Sequence, residues 1–215
     1  MRLSVAFIIL IIAGVFVALK GIFGTFPDNW EWVGIVLAGV GLAMAIPSMF
    51  QMMYGRPKLK VVFENGVRGA ERFLPVHISN PPTRGKLLKA LGVRRDAIQS
   101  ITAQFRISEL GSGNIVINSR QSRIYSDDDP DDKGRFRTML PPTYSVAGCV
   151  MVASWNSEFS KAIIPPDRLR PEFCSIPEGT YRVQIIFMVD GEKQAKYRQF
   201  TAGKKADDLT WIPAK

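Results

Sequence analysis

Two long apolar runs open this 215-residue chain, and a helix buried in lipid is the structure they suit best. Leu3 to Leu19 is broken only by Ser4 and the small residues Ala13 and Gly14, and Val33 to Phe50 by nothing stronger than Ser48 and Pro47. A hydrocarbon layer about 30 Å thick takes roughly 20 helical residues to cross. With their flanks both runs reach that length, so the expected spans are 3–23 and 33–53, and Lys20 sits where its head can snorkel to the interface. Neither apolar core holds an ionisable residue, which argues against a proton or ion relay. A cleaved secretory signal is the alternative for the first run. Its charged start fits that idea, but its length and the Phe16-Val17-Ala18 sequence do not fit a small-residue cleavage site.

Only Gly24 to Trp32 separates the two runs, so they are expected to form an antiparallel hairpin over residues 1–55 with both chain ends on one side. Trp30 and Trp32 suit the headgroup level. Arg2 precedes the first span, and Arg56, Lys58 and Lys60 follow the second. Cations next to a span accumulate on the cytoplasmic side. The expectation is therefore an integral, multi-pass membrane protein with both termini and its polar portion in the cytoplasm. Gly34 and Ala38, Gly39 and Ala43, and Gly41 and Ala45 stand four apart, a spacing that lets helices pack closely within the hairpin or between copies of the chain.

From Lys58 onward the period falls to two, and residues 56–203 are expected to form a soluble all-β domain, with 204–215 as a C-terminal tail. Leu59, Val61 and Phe63 alternate with polar residues, as do Leu74, Val76 and Ile78, and then Ile101, Ala103, Phe105 and Ile107. Shorter candidates are 114–118, 121–126, 135–140 and 149–155. The clearest pattern is late: Tyr181, Val183, Ile185 and Phe187 share one face, Asp190-Gly191 makes a hairpin turn, and a return strand runs to Phe200. Many short strands with little helix spell an antiparallel sandwich or a small barrel. The stretch "PEGTYRVQI" resembles the penultimate strand of immunoglobulin-like and fibronectin-like sandwiches, which implies an Ig-like sandwich and no particular activity. Cys149 and Cys174 fit buried thiols in a cytoplasmic domain and one disulfide outside the cell.

One segment breaks the strand rhythm. After Pro81-Pro82 a short helix is expected, with Leu87, Leu88 and Leu91 on one side and Arg84, Lys86, Lys89, Arg94 and Arg95 around them. Such a segment suits an anionic lipid surface, or else a surface helix closing one end of the sandwich. Twenty-six of the 28 Lys and Arg, but only 17 of the 19 Asp and Glu, lie beyond Gly55, so the polar part carries the whole +9 excess. Attraction to the anionic inner leaflet accounts for this more simply than nucleic acid, for which no recognition pattern is present.

Few residues stand in patterns that carry chemistry. Asp127, Asp129 and Asp131 alternate like the first ligands of an EF-hand loop, but the sixth position is Asp132 instead of Gly and the twelfth is Thr138 instead of Glu. His77 is the sole histidine, and neither a nucleophile elbow nor a phosphate-binding glycine motif is present. No enzyme, cofactor or metal site is expected. The leading expectation is a non-enzymatic membrane protein whose basic cytoplasmic sandwich is a binding or assembly module, within a membrane complex or a homo-oligomer formed through the helices. Two spans followed by a strand-rich domain also look like the two-transmembrane β-barrel effectors of bacterial cyclic-oligonucleotide defence, a likeness that implies a cyclic nucleotide ligand and membrane damage on assembly. An extracytoplasmic adhesion or envelope module is the third expectation.

Overall fold

The computed structural model describes residues 29–69, 71–126, 134–135, 138–143, 147–158, 160–165 and 174–213, without the side chains of 29–35, 37–38, 42, 44 and 68. The expected first span and the aspartates at 127, 129 and 131 lie outside these residues. Two compact units emerge: one joins the chain up to Arg56 with Thr83–Asp96, and the other comprises Pro57–Pro82 and Ala97–Lys215.

The first unit contains helix α1 (Asn29–Tyr54), with Pro47 inside its last turns, and the single-turn helix α2 (Lys86–Ala90). No helix among the described residues is long and apolar enough to cross a membrane. Along α1 the apolar side chains of Val36, Val40, Ile46, Met49, Met52 and Met53 are exposed. The leucine ridge expected in the basic segment forms only in part: Leu88 and Leu91 are half-buried, while Leu87 is 64 % exposed.

The second unit is a sandwich of two antiparallel sheets. One contains β1 (Lys60–Phe63), β3 (Glu71–Ser79), β8 (Gly148–Asn156), β9 (Lys161–Ile164) and β10 (Cys174–Ile176) in that spatial order, with β2 (Gly66–Arg68) on β3 and β6 (Ile124–Tyr125) on β8. The other runs β13 (Thr210–Trp211), β12 (Glu192–Ala202), β11 (Gly179–Val189), β4 (Ile98–Glu109), β5 (Ile115–Ser122), with β7 (Thr138–Leu140) also on β4. The two sheets are separate, so this is a sandwich and not a closed barrel. Their inner faces bury Leu74, Val76 and Ile78 together with Ile101, Phe105, Ile107, Val183, Ile185, Phe187 and Phe200 in one core. Both cysteines are thiols: Cys149 is buried on β8 and Cys174 is half-buried on β10.

The late hairpin forms as its residues dictate. Asp190 (φ 49°) and Gly191 (φ 90°) supply the two positive φ angles of a type I′ turn. The Asp190 carboxylate accepts the Ser100 N–H at 2.7 Å, and Asp190 N–H donates to Ser100 O at 2.8 Å, which ties the turn to β4. Proline in a central strand removes a ladder donor and is confined to bulges. Pro75 obeys this rule, sitting at the register shift between β3 and β8.

Three features depart from expectation. Residues 115–118 and 121–122 belong to one strand, β5, whose irregular pairing with β4 surrounds Ser119 at φ 54°. The extra residue shifts the alternation, so Ile117 and Arg120 both turn inward and Arg120 is 1 % exposed. Strands β9 and β10 arise in sequence without clear alternation. The segment after 203 carries structure: a 3-10 turn (Ala206–Asp208) leads through buried Leu209 into β13, where Trp211 is buried as well. Trp211 meets Phe63 and Phe200 edge-on, with centroids 5.1 and 5.8 Å apart.

A buried asparagine fastens the entry to the sandwich. Asn80, fully inaccessible, accepts the Lys58 N–H at 3.1 Å and donates to Leu140 O at 3.4 Å, while its own carbonyl accepts Thr143 N–H at 3.0 Å. Removing a buried carboxamide leaves its partners desolvated and unmet, at about 1–3 kcal/mol. Asn80→Ala is expected to lower unfolding free energy by about 2 kcal/mol in urea titrations, with an unchanged slope. Tyr181 makes a second such lock, its hydroxyl donating to Pro177 O at 2.7 Å. Burial, and then the nearby Glu109 carboxylate, raises its pKa above 10.0. The folded protein therefore keeps this proton at alkaline pH after the unfolded chain has lost it. The contribution is full below pH 10.0 and is lost as pH climbs towards the folded value. Tyr181→Phe is expected to cost about 1 kcal/mol at pH 7, and the gap between wild type and variant to shrink above pH 10.

Candidate membrane-surface site

Gln51 organises the end of α1. Its carboxamide imitates a strand backbone: Nε2 donates to Arg94 O at 2.6 Å, and Oε1 accepts the Arg94 N–H at 2.9 Å. Nε2 also lies 3.3 Å from the Asp96 carboxylate. One residue past the helix, Gly55 donates to Gln51 O at 2.8 Å, and its own carbonyl accepts the Asp96 N–H at 2.6 Å. A β-carbon at Gly55 would overlap both the Gln51 carboxamide and its carbonyl, so only glycine allows this approach. Arg95 completes the clasp, its guanidinium donating to Arg56 O at 2.9 Å. A cation there also opposes the negative end of the helix dipole.

This clasp gathers the expected basic residues selectively. Arg56, Arg84, Lys86, Lys89 and Arg94 are exposed on the helix unit, while Arg95 is half-buried and spent on the clasp. Lys58 and Lys60 are exposed but belong to the sandwich unit. The expected small-residue faces of α1 are divided. Gly41 is buried, Ala45 half-buried, and Gly39 and Ala43 exposed; the environments of Gly34 and Ala38 lie outside the description. No described atom comes within 4 Å of where a Gly39 β-carbon would stand, so close packing at that position is unused here.

Sequence reasoning missed the outer face of the six-stranded sheet. The register aligns Arg106, Gln184 and Tyr197 across β4, β11 and β12, and beside them Ser108, Arg182 and Gln199. Gln184 Nε2 donates to the Tyr197 hydroxyl at 2.7 Å. Across the outward positions of these three strands, Arg106, Arg182 and Lys193 are exposed cations and not one position is Asp or Glu. Tyr197 is 61 % exposed. The signal was present in the late hairpin, whose even-numbered β11 residues and odd-numbered β12 residues are cationic, amide or neutral.

Strand β12 is also an edge for most of its length, because β13 pairs only with Phe200 and Thr201. Its inward-facing Lys196 and Arg198 guard that edge, Arg198 lying 5.8 Å from the centre of the Phe63 ring.

His77 stands directly across from Cys149, and its Nε2 is 3.6 Å from the Glu64 carboxylate. Cys149 is only 8 % exposed, whereas the Glu64 side chain lies mostly in solvent. Among the described residues no three His, Cys, Asp or Glu side chains group to hold a metal. No family model matches the chain, and the search of curated proteins finds no similar one.

The clasp makes a direct expectation. Gln51→Ala should free the backbone amide of Arg94, raising its hydrogen-exchange rate about tenfold, the effect of one lost hydrogen bond, while the amides of β11 hold steady. Gly55→Ala should do the same by displacing the Gln51 carboxamide.

Proposed function

We propose that this is a non-enzymatic membrane-anchored protein, its basic β-sandwich serving as a binding or assembly module at the cytoplasmic face. The observation that carries the reading is the carboxylate-free outer face of the six-stranded sheet. A surface with three exposed cations, glutamines in both rows and one exposed tyrosine suits an acidic protein surface, since like charges across an interface are costly and complementary ones guide encounter. The anchor rests on the sequence alone: two apolar runs free of charge, and cations at Arg56, Lys58 and Lys60 just beyond the second.

Within the sandwich class, we read the domain as immunoglobulin-like. The neighbours β1-β3-β8-β6 and β12-β11-β4-β5 follow the A-B-E-D and G-F-C-C′ orders of such folds. The Tyr181 hydroxyl bonds the backbone four residues upstream at the start of β11, where those folds place a tyrosine corner. The same two-sheet architecture distances the chain from the β-barrel effectors that its order of parts resembles.

Two measurements test the proposal. Protease added to sealed intact cells is expected to leave a C-terminal epitope untouched; its removal would put the sandwich outside. In mild detergent the protein should travel with a partner or further copies, and the triple variant R106E/R182E/K193E should lose that association while keeping its melting temperature within about 2 °C. A lone 24.0 kDa chain, or an association indifferent to charge reversal, would defeat the binding role.

A further inference from the structure

A groove of about 900 Å³ follows the last turns of α1. Ala43, Pro47, Ser48, Gln51 and Met52 form its helical wall, and Leu91 contributes from the segment that Gln51 clasps. At the end of the helix the lining changes character, with Arg56 and Arg94 entering it. Both are exposed, and among the described residues neither guanidinium has a carboxylate within ion-pairing distance. The acid that also lines the groove, Asp96, faces the Gln51 amide. The opposite wall is held by hydrogen bonds that depend on Gln51 and Gly55, so the groove is a built feature of the helix unit and not a gap beside a loose loop.

With Ala43, Pro47, Met52 and Leu91 along it, Ser48 and Gln51 between them, and two arginines at one end, the groove has the amphipathic character of a single lipid. We propose that it seats one anionic phospholipid, with its phosphate between Arg56 and Arg94 and an acyl chain along Ala43, Pro47 and Met52. This rests on the membrane reading above and gives it a specific ligand. A protein helix would match the apolar wall but would leave two guanidinium groups without anions; a free phosphate would meet the cations but leave the wall bare. An anionic phospholipid satisfies both, and the cytoplasmic leaflet supplies it beside the cations that follow the second apolar run.

The full chain, reconstituted in vesicles of phosphatidylcholine with or without phosphatidylglycerol and then released into mild detergent, is to be examined by native mass spectrometry. One retained phosphatidylglycerol per chain is expected, with phosphatidylcholine retained far less. R56Q/R94Q should weaken retention about thirty-fold, the effect of two cations at a membrane surface. Ala43→Trp, which fills the apolar wall and keeps both arginines, should weaken it as well. Equal retention of the two lipids, full retention by R56Q/R94Q, or displacement of the lipid by excess inorganic phosphate would each overturn the seat. Flotation with the vesicles separates the two readings. A chain that floats but keeps no phosphatidylglycerol refutes the seat alone, whereas one that floats with neither vesicle refutes the anchor and the seat together.

Discussion

The register of β11 is the constraint from which the sandwich follows. Its residues pair continuously with β12 on one side and β4 on the other, so one alternation sets three strands at once. Tyr181, Val183, Ile185, Phe187 and Val189 point into the core, each burial being worth about 1.5–3 kcal/mol. A slip of one residue would exchange them for Arg182, Gln184, Ile186 and Met188, forfeiting most of that energy and burying a cation. The turn enforces the same register from its end, because Asp190 reaches both the N–H and the carbonyl of Ser100.

The outer face inherits this precision. Arg106, Gln184 and Tyr197 form a row because the inward positions between the rows are fixed by packing. This face needs no loops to present its side chains: they stand on strands whose inner faces are buried in the core. Substitution on the outer face changes chemistry with little cost to the fold, since those side chains pack on nothing beneath the sheet. Core and surface are two readings of one alternating strand.

Legibility in the sequence tracks how local each cause is. The β11–β12 hairpin was visible because alternation and Asp190-Gly191 act within a few residues. Arg120 was hidden: the stretch Asn118-Ser119-Arg120 looks like a polar turn, and only a bulge at Ser119 brings the arginine to the inner face. A buried cation must be paired, and Arg120 has partners of its own. The end of the chain misled for a related reason. "GKKADDLTW" is polar by composition, yet Thr201 Oγ1 donates to Asp208 O at 2.9 Å and Trp211 N–H to Asn65 at 2.8 Å, contacts that no window of sequence contains. The basic segment at 84–95 was recognised for its charge, but its fastening through Gln51 was not, since a single glutamine in an apolar helix carries no periodic signal.

Gln51 and Asn80 show how this chain handles the join between an apolar helix and a polar domain. Both are carboxamides, and each supplies a donor and an acceptor to backbone groups of segments distant in sequence. A carboxamide does this without charge, avoiding the desolvation penalty that a buried ion would bring. One closes the helix unit on the basic segment, and the other closes the sandwich on the connection that leaves the helix. Arg56, the last residue of the helix unit, and Lys58, the second residue of the sandwich, are two positions apart; the Arg95 guanidinium holds the carbonyl of the first, and the Asn80 carboxamide the N–H of the second. Local fastening on either side of Pro57 thus leaves the guanidinium and ammonium heads exposed while the main chain beneath is committed to structure.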